Sequence, residues 1–228
     1  AALDEFKLIK NIKLDNLKNI ICYADDTDFV NIENITNDLP NILMKYNLKM
    51  NVDKTEYIKF NRDNNKLINN KKLGSKLNDI EDVKYRIALT NVMFNNMYKI
   101  WNFNIIQQNT KIKLYNACIK PILLYNTSSL AVGKIDMEKI NSTHRKHLRR
   151  ILKIYYPRVI KNVNLYINTN QTIISTNIQN RRLNLFGHIL RLSDNIPANY
   201  YMKEYFTMQH FYKGDLRKVR TSLPNILH

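Results

Sequence analysis

The sequence predicts an α+β fold: a β-hairpin, a helix and a further strand in the N-terminal third, then a mostly α-helical remainder. Three observations carry this. Two adjacent acids, Asp25 and Asp26, sit between short strand-forming runs, Ile20–Tyr23 before and Phe29–Ile32 after. After residue 80 the apolar residues recur every three or four positions. Only four Gly and five Pro occur in 228 residues, too few for linkers or low-complexity tails.

The hairpin spans residues 21 to 32. Leu39, Ile42, Leu43 and Tyr46 then have helical spacing, with Asn37 or Asp38 as cap and Pro40 in the first turn. Leu48 to Phe60 reads as a strand, through Met50, Val52, Tyr57 and Ile58. The Asn- and Lys-rich stretch 61–72 reads as a loop or weak hairpin, interrupted by Leu73-Gly74-Ser75. Val83, Ile87, Thr90, Phe94, Met97 and Trp101 mark a long helix, capped by Asp79 or Asp82. A second helix starts after Thr110 and is kinked near Pro121. A third runs from Asp136 to Ile154 and a fourth from Ile178 to Leu192. The change of pattern sets a boundary near residue 79, giving segments 1–79 and 80–228.

Neighbouring carboxylates repel, so two at a tight turn favour a cation there. Hard oxygen donors suit Mg²⁺, which takes one or two carboxylates and shares its shell with substrate phosphates. The local chemistry therefore points to phosphoryl or nucleotidyl transfer. Asp28, two along the strand, points to the same face as Asp26; a solvent-facing strand acid is the plainer reading of it.

The charge is extreme, 36 basic against 19 acidic residues and net +17, and implies a polyanionic partner. It is clustered: on the helix 136–154, Lys139, Lys146, Arg150 and Lys153 fall on one side, widened by Arg145 and Arg149, and Met137, Ile140, Leu148 and Ile151 fall on another. Such a face tracks a nucleic-acid backbone without reading sequence. His144 and His147 are three apart on this helix, but no acidic base or further ligand stands at metal-site spacing, so the pair does not read as a metal site; His144, on the apolar stripe, reads as packed. Cys22 and Cys118 lie among apolar residues and give neither a disulfide framework nor a metal pattern, which points to an intracellular protein, nuclear or cytoplasmic. No apolar run is long enough to span a bilayer, and no secretory signal pattern opens the chain. The chain starts Ala-Ala-Leu-Asp, without Met, and reads as a fragment of something longer.

Tyr23-Ala24-Asp25-Asp26 resembles the Tyr-x-Asp-Asp hairpin of reverse transcriptases, in the Ala form typical of LINE-type non-LTR retrotransposon polymerases. The resemblance continues in order. Asn51-Val52-Asp53-Lys54-Thr55 is similar to the next palm element, and Leu73-Gly74-Ser75 to the short hairpin that holds the primer end, although Lys71 and Lys72 stand where the family has an aromatic residue. Arg86-Ile87-Ala88-Leu89 and the stretch Thr110 to Tyr125 resemble two thumb helices. His144 to Leu152 and Arg181 to Leu192 resemble two further signatures, the second including His188.

The resemblance implies a partial polymerase palm over 1–79, followed by a helical thumb and connector over 80–228. It implies RNA-directed DNA synthesis with two Mg²⁺ ions, with Asp25 and Asp26 as metal ligands and Asp25 the more direct. Lys54 would stand near the incoming triphosphate, and Tyr23 beneath the nascent base pair. Leu73 and Gly74 would lie at the primer end, and Arg145, Lys146, Arg149 and Arg150 on the template–primer backbone. The implied partners are an RNA template, a DNA primer and deoxynucleotide triphosphates. The family also needs an aspartate on an earlier palm strand, and fingers. Only 24 residues precede Asp25, and neither Asp4 nor Asp15 lies in such a motif. The N-terminal palm and fingers are therefore expected in a longer parent protein, and these residues alone are not expected to polymerise. The competing expectation is a catalytically dead remnant that only binds nucleic acid. An RNA-templated RNA polymerase is less consistent with Ala before the acids.

Overall fold

The computed structural model describes residues 20–23, 26–29, 35–56, 71–194 and 196–209. The chain divides into two compact units, Ala1–Lys59 and Phe60–His228. The described residues are mostly helical, with two small antiparallel sheets of two strands each, an α+β composition.

In the first unit, β1 (Ile20–Tyr23) pairs with β2 (Asp26–Phe29) in the register Ile20↔Phe29, Ile21↔Asp28, Cys22↔Thr27, Tyr23↔Asp26. Ile20 and Phe29, directly opposed, pack with Leu43 and Met50 around the buried Leu39 and Ile42 of helix α1 (Ile35–Lys45). The helix starts before the expected Asn37 or Asp38 cap, so Pro40 lies inside it, not in its first turn. Proline there removes one backbone hydrogen bond; burial of Leu39 and Ile42 on either side of it offsets that loss. The strand expected from Leu48 does not form before residue 57: Leu48–Asn51 is irregular and Val52–Lys54 is a 3₁₀ turn. Asn51 dictates this. Its Oδ1 accepts from the Lys54 N–H at 3.3 Å, and its carbonyl accepts from the Thr55 hydroxyl at 2.8 Å, a local alternative to strand pairing. Residues 57–60, the rest of that strand, lie outside the described residues.

In the second unit, β3 (Lys71–Lys72) and β4 (Ser75–Lys76) form a two-residue hairpin leading into α2 (Asp79–Asn96). Asn78, not Asp79 or Asp82, caps α2, its side chain accepting from the Glu81 N–H at 3.1 Å. The long apolar stripe then breaks at Met97, and α3 (Tyr98–Asn102) restarts it. The buried Lys111 donates to the Trp101 carbonyl at 2.7 Å, capping the end of α3; burial lowers its pKa. The helix expected after Thr110 is α4 (Gln108–Leu114), a π-helical stretch at Tyr115–Ile119, and α5 (Lys120–Leu123). The wide turn directly precedes Pro121, whose missing N–H relaxes the helical ladder there.

Helix α6 (Lys134–Ile151) begins two residues before the expected start and ends three earlier, and α8 (Ile174–Leu190) is likewise shifted towards the N-terminus. Helices α7 (Asn162–Thr169) and α9 (Pro197–Gln209) add to the expected set. Helices α2 and α6 run through two cores. One gathers Val83, Leu123, Leu130, Ile140, Ile174 and Ile178. The other gathers Phe94, Trp101, Tyr115, Ile119, Leu148 and Leu165. Cys118, expected among apolar residues, is instead exposed on the outer side of the π-helical stretch.

Candidate nucleic-acid interface

The acidic hairpin is positioned by its apolar face. Ile20 and Phe29 anchor it to α1, so strand alternation turns Asp28 and Asp26 to the opposite face. Asp26 is exposed and Asp28 partly buried. Tyr23 pairs with Asp26, and the two residues between them in the chain are Ala24 and Asp25. Asp25 itself, the expected direct ligand, lies outside the described residues, as does the side chain of Tyr23. Among the described residues no three His, Cys, Asp or Glu side chains gather around one point. The exposed Asp26 offers carboxylate oxygens, the kind of donor Mg²⁺ takes. Lys54 closes the 3₁₀ turn of the same unit and is exposed.

The second hairpin is built at Leu73 and Gly74. Both have positive φ, +48° and +75°, as a turn of two left-handed residues requires. A Cβ on Gly74 would meet nothing within 4 Å, so the glycine serves the backbone angle and not a close approach. The tip is held from three sides. Arg86 Nη2 donates to the Gly74 carbonyl, and its Nε reaches Asp82 Oδ2 at 3.4 Å. Asp82, fully buried, accepts from the Lys76 N–H through Oδ1 at 2.7 Å. Tyr125 donates to the Leu73 carbonyl at 2.6 Å, and Asn126 Nδ2 donates to Ser75 Oγ at 2.8 Å. The Arg86 guanidinium lies over the Tyr125 ring, 4.3 Å from its centroid. Leu73 nonetheless remains 45% exposed, so the tip is clamped through its backbone while its side chain faces solvent.

On α6, the buried face carries Ile140, His144, His147, Leu148 and Ile151, and the opposite face carries the basic residues. Lys146 is exposed. Arg145 pairs with Glu138 at 2.5 Å, Arg149 donates to Asn162 Oδ1 at 2.6 Å, and Arg150 donates to Asn95 Oδ1 at 2.8 Å with its guanidinium over Phe94. Arg149 and Arg150 are thus braced against neighbouring segments, and Arg145 against its own helix. Lys153, placed on the same helix by its spacing, follows the helix end with φ +55° and reaches the Asn102 carbonyl at 3.2 Å. Between Asp82 and Asp194 the only acids are Asp136 and Glu138, against eighteen Lys and Arg.

His144 and His147 pack into the core beneath this face. His144 shares a hydrogen bond with the Tyr115 hydroxyl and His147 one with Asn91 Oδ1, each at 2.9 Å, and His147 stacks on Phe94 with ring centres 4.1 Å apart. Burial first, and then the cations Lys120 and Arg145 around His144 and Arg150 and Lys146 around His147, push both pKa values down to about 3.

Sequence reasoning missed the clamp. Asp82 and Arg86 have the i,i+4 spacing of an ion pair, which was there to be read. Their reach to the Gly74 carbonyl and the Lys76 N–H was not. It also missed Arg182, buried in the stretch Arg181 to Leu192, which donates to the Leu130 carbonyl at 2.7 Å and ties α8 to the turn before α6.

No helix among the described residues is long and apolar enough to cross a membrane. Comparison with protein families, curated proteins and solved structures found no match to this chain.

Proposed function

We propose that this chain carries the second half of the palm and the thumb of an RNA-directed DNA polymerase of the non-LTR retrotransposon type. One observation supports this most: the Tyr23↔Asp26 register, which sets the Tyr-Ala-Asp-Asp run at the turn of an antiparallel hairpin. Asp25 and Asp26 would hold Mg²⁺ in this reading. The ion, when bound, supplies positive charge where the primer oxygen and the nucleotide phosphates meet. The Lys54 ammonium would donate to the triphosphate and to the departing pyrophosphate. The clamped tip at Leu73 and Gly74 would bear on the primer end. The basic side of α6, with Arg145, Lys146, Arg149 and Arg150, would follow the phosphates of an RNA–DNA hybrid. The remaining partners of this reading are deoxynucleotide triphosphates and the upstream palm and fingers.

A second reading, nucleic-acid binding without catalysis, is favoured by the cation excess between Asp82 and Asp194, which needs no metal. One experiment separates the two. Fe²⁺ with ascorbate replaces Mg²⁺ and cuts backbone near a metal site. The polymerase reading expects cuts around residues 23–29, lost in Asp25→Asn/Asp26→Asn, with hybrid affinity retained. Hybrid binding without localised cuts selects the second reading, and a chain that neither binds nor is cut defeats both.

A further inference from the structure

We propose that a surface adjoining the basic side of α6 and sharing Arg150 with it, at the junction of α3, the end of α6 and the loop after it, binds unpaired single-stranded nucleic acid by stacking bases on tyrosines. This goes beyond the polymerase reading and does not depend on it. A shallow cleft there is lined by Tyr98, Trp101, Asn102, Arg150 and Tyr155. Trp101 is buried at its floor and is held by its Nε1–H, which donates to the Phe94 carbonyl at 2.7 Å. Tyr98 and Tyr155 are about half exposed at its walls, and Tyr156, next in the chain, is 95% exposed.

Two half-exposed aromatic rings at the walls of one cleft, with a third fully presented to water at the next position in the chain, need a reason. The charge around them supplies it. Arg150 is in the cleft, Lys153 bonds across to the Asn102 carbonyl and so fixes the loop against α3, and no acid lies within the chain from Glu138 to Asp194. An aliphatic protein partner would not call for this charge. A duplex would meet the cations but hides its bases from the rings. An unpaired strand satisfies both, its phosphates on the cations and its bases on the ring faces. Stacking requires no hydrogen-bond pattern, so the site would be indifferent to sequence and sensitive to salt.

The test uses the whole 228-residue chain and three fluorescent ligands: an oligothymidylate of about 20 nucleotides, long enough to exceed the usual single-strand site, an abasic oligomer of the same length, and a duplex. Fluorescence anisotropy is expected to show tighter binding of the oligothymidylate than of the abasic strand. Tyr156→Ala, at a side chain too exposed to matter for folding, should weaken oligothymidylate binding about ten-fold and leave abasic and duplex binding unchanged. Tyr156→Phe, which keeps the ring, should bind like the unmodified chain. Tyr155→Ala should add to the loss. Equal binding of the two single strands would overturn the proposal and return the tyrosines to a protein partner's surface. So would a Tyr156→Ala chain that binds oligothymidylate normally, or one that loses all three ligands alike.

Discussion

Tyr125 donates its phenolic proton to the carbonyl of Leu73 at 2.6 Å, across 52 positions of sequence. The bond joins the turn after α5 to the tip of the β3–β4 hairpin, and the same ring covers the Arg86 guanidinium that holds Gly74. Two stretches that resemble separate polymerase elements are therefore one mechanical unit. Tyr125→Phe isolates the bond, because the ring stays over Arg86. Removing a partly exposed hydrogen bond costs about 0.5–1 kcal/mol. Urea unfolding should show that loss. Hydrogen exchange should show the Lys72 and Ser75 amides opening faster, with those in α6 unchanged. A variant with unaltered exchange at the tip would mean that Arg86 and Asn126 suffice to hold it.

The pair beneath the tip is far less tolerant. Asp82 is fully buried and Arg86 nearly so, and each also bonds hairpin backbone. Asp82→Ala leaves a buried guanidinium without its carboxylate and a Lys76 N–H without its acceptor. Breaking a buried pair in this way costs about 3–5 kcal/mol. Arg86→Met removes the cation and leaves Asp82 to the Lys76 N–H alone, and is expected to cost a similar amount. Denaturation of both variants by urea is the measurement, and a loss under about 1 kcal/mol, the level of a surface pair, would show that the clamp is solvated.

The tip itself combines a favourable and an unfavourable residue. Gly74 suits φ +75°, whereas Leu73 is an unusual residue at φ +48°. Left-handed backbone costs a side-chain-bearing residue about 1–2 kcal/mol, and Asn-Gly is the pair such a turn prefers. Leu73→Asn is therefore expected to raise stability by roughly 0.5–1 kcal/mol. Gly74→Ala should lower it by about 1–2 kcal/mol from backbone angle alone, since its Cβ meets open space. On the polymerase reading the strained, exposed leucine serves the primer, so Leu73→Asn should weaken primer–template binding while it stabilises the chain. Thermal melting and hybrid affinity together test the trade, and a variant that gains in both would remove Leu73 from the interface.

The legible parts of this chain are those set by local patterns. The hairpin at Tyr23–Asp26 follows from strand-forming runs around two acids, and α2 and α6 follow from apolar spacing, down to the side of α6 that carries Lys146 and Arg150. The strand after Leu48 was misread because Asn51 competes for the backbone with its side chain, and apolar alternation does not register that. The start of α1 was misread, with Pro40 inside the helix and not in its first turn, because burial of Leu39 and Ile42 outweighs one lost hydrogen bond. The clamp was invisible for a different reason. Its bonds run from side chains to carbonyls distant in sequence, and any residue can present a carbonyl.

The two core histidines make stability fall with acid in a definite window. In the folded chain both pKa values lie near 3, and in the unfolded chain near 6.5. Between those values the unfolded chain binds more protons than the folded one. Stability is therefore complete above about pH 6.5 and is lost progressively as pH falls towards 3. The limiting slope is about 1.4 kcal/mol per pH unit for each ring. At about pH 5.5 the two together should have removed roughly 2–3 kcal/mol relative to pH 8, before most carboxylates begin to protonate. His147→Gln keeps a polar group towards Asn91 but cannot titrate. It should start less stable, because the stack on Phe94 is gone, and lose about half as much on acidification; His144→Gln/His147→Gln should be nearly flat through the window. Urea unfolding at the two pH values measures this. An unmodified chain equally stable at both would mean that the rings gain protons in place, which requires water or a carboxylate beside them.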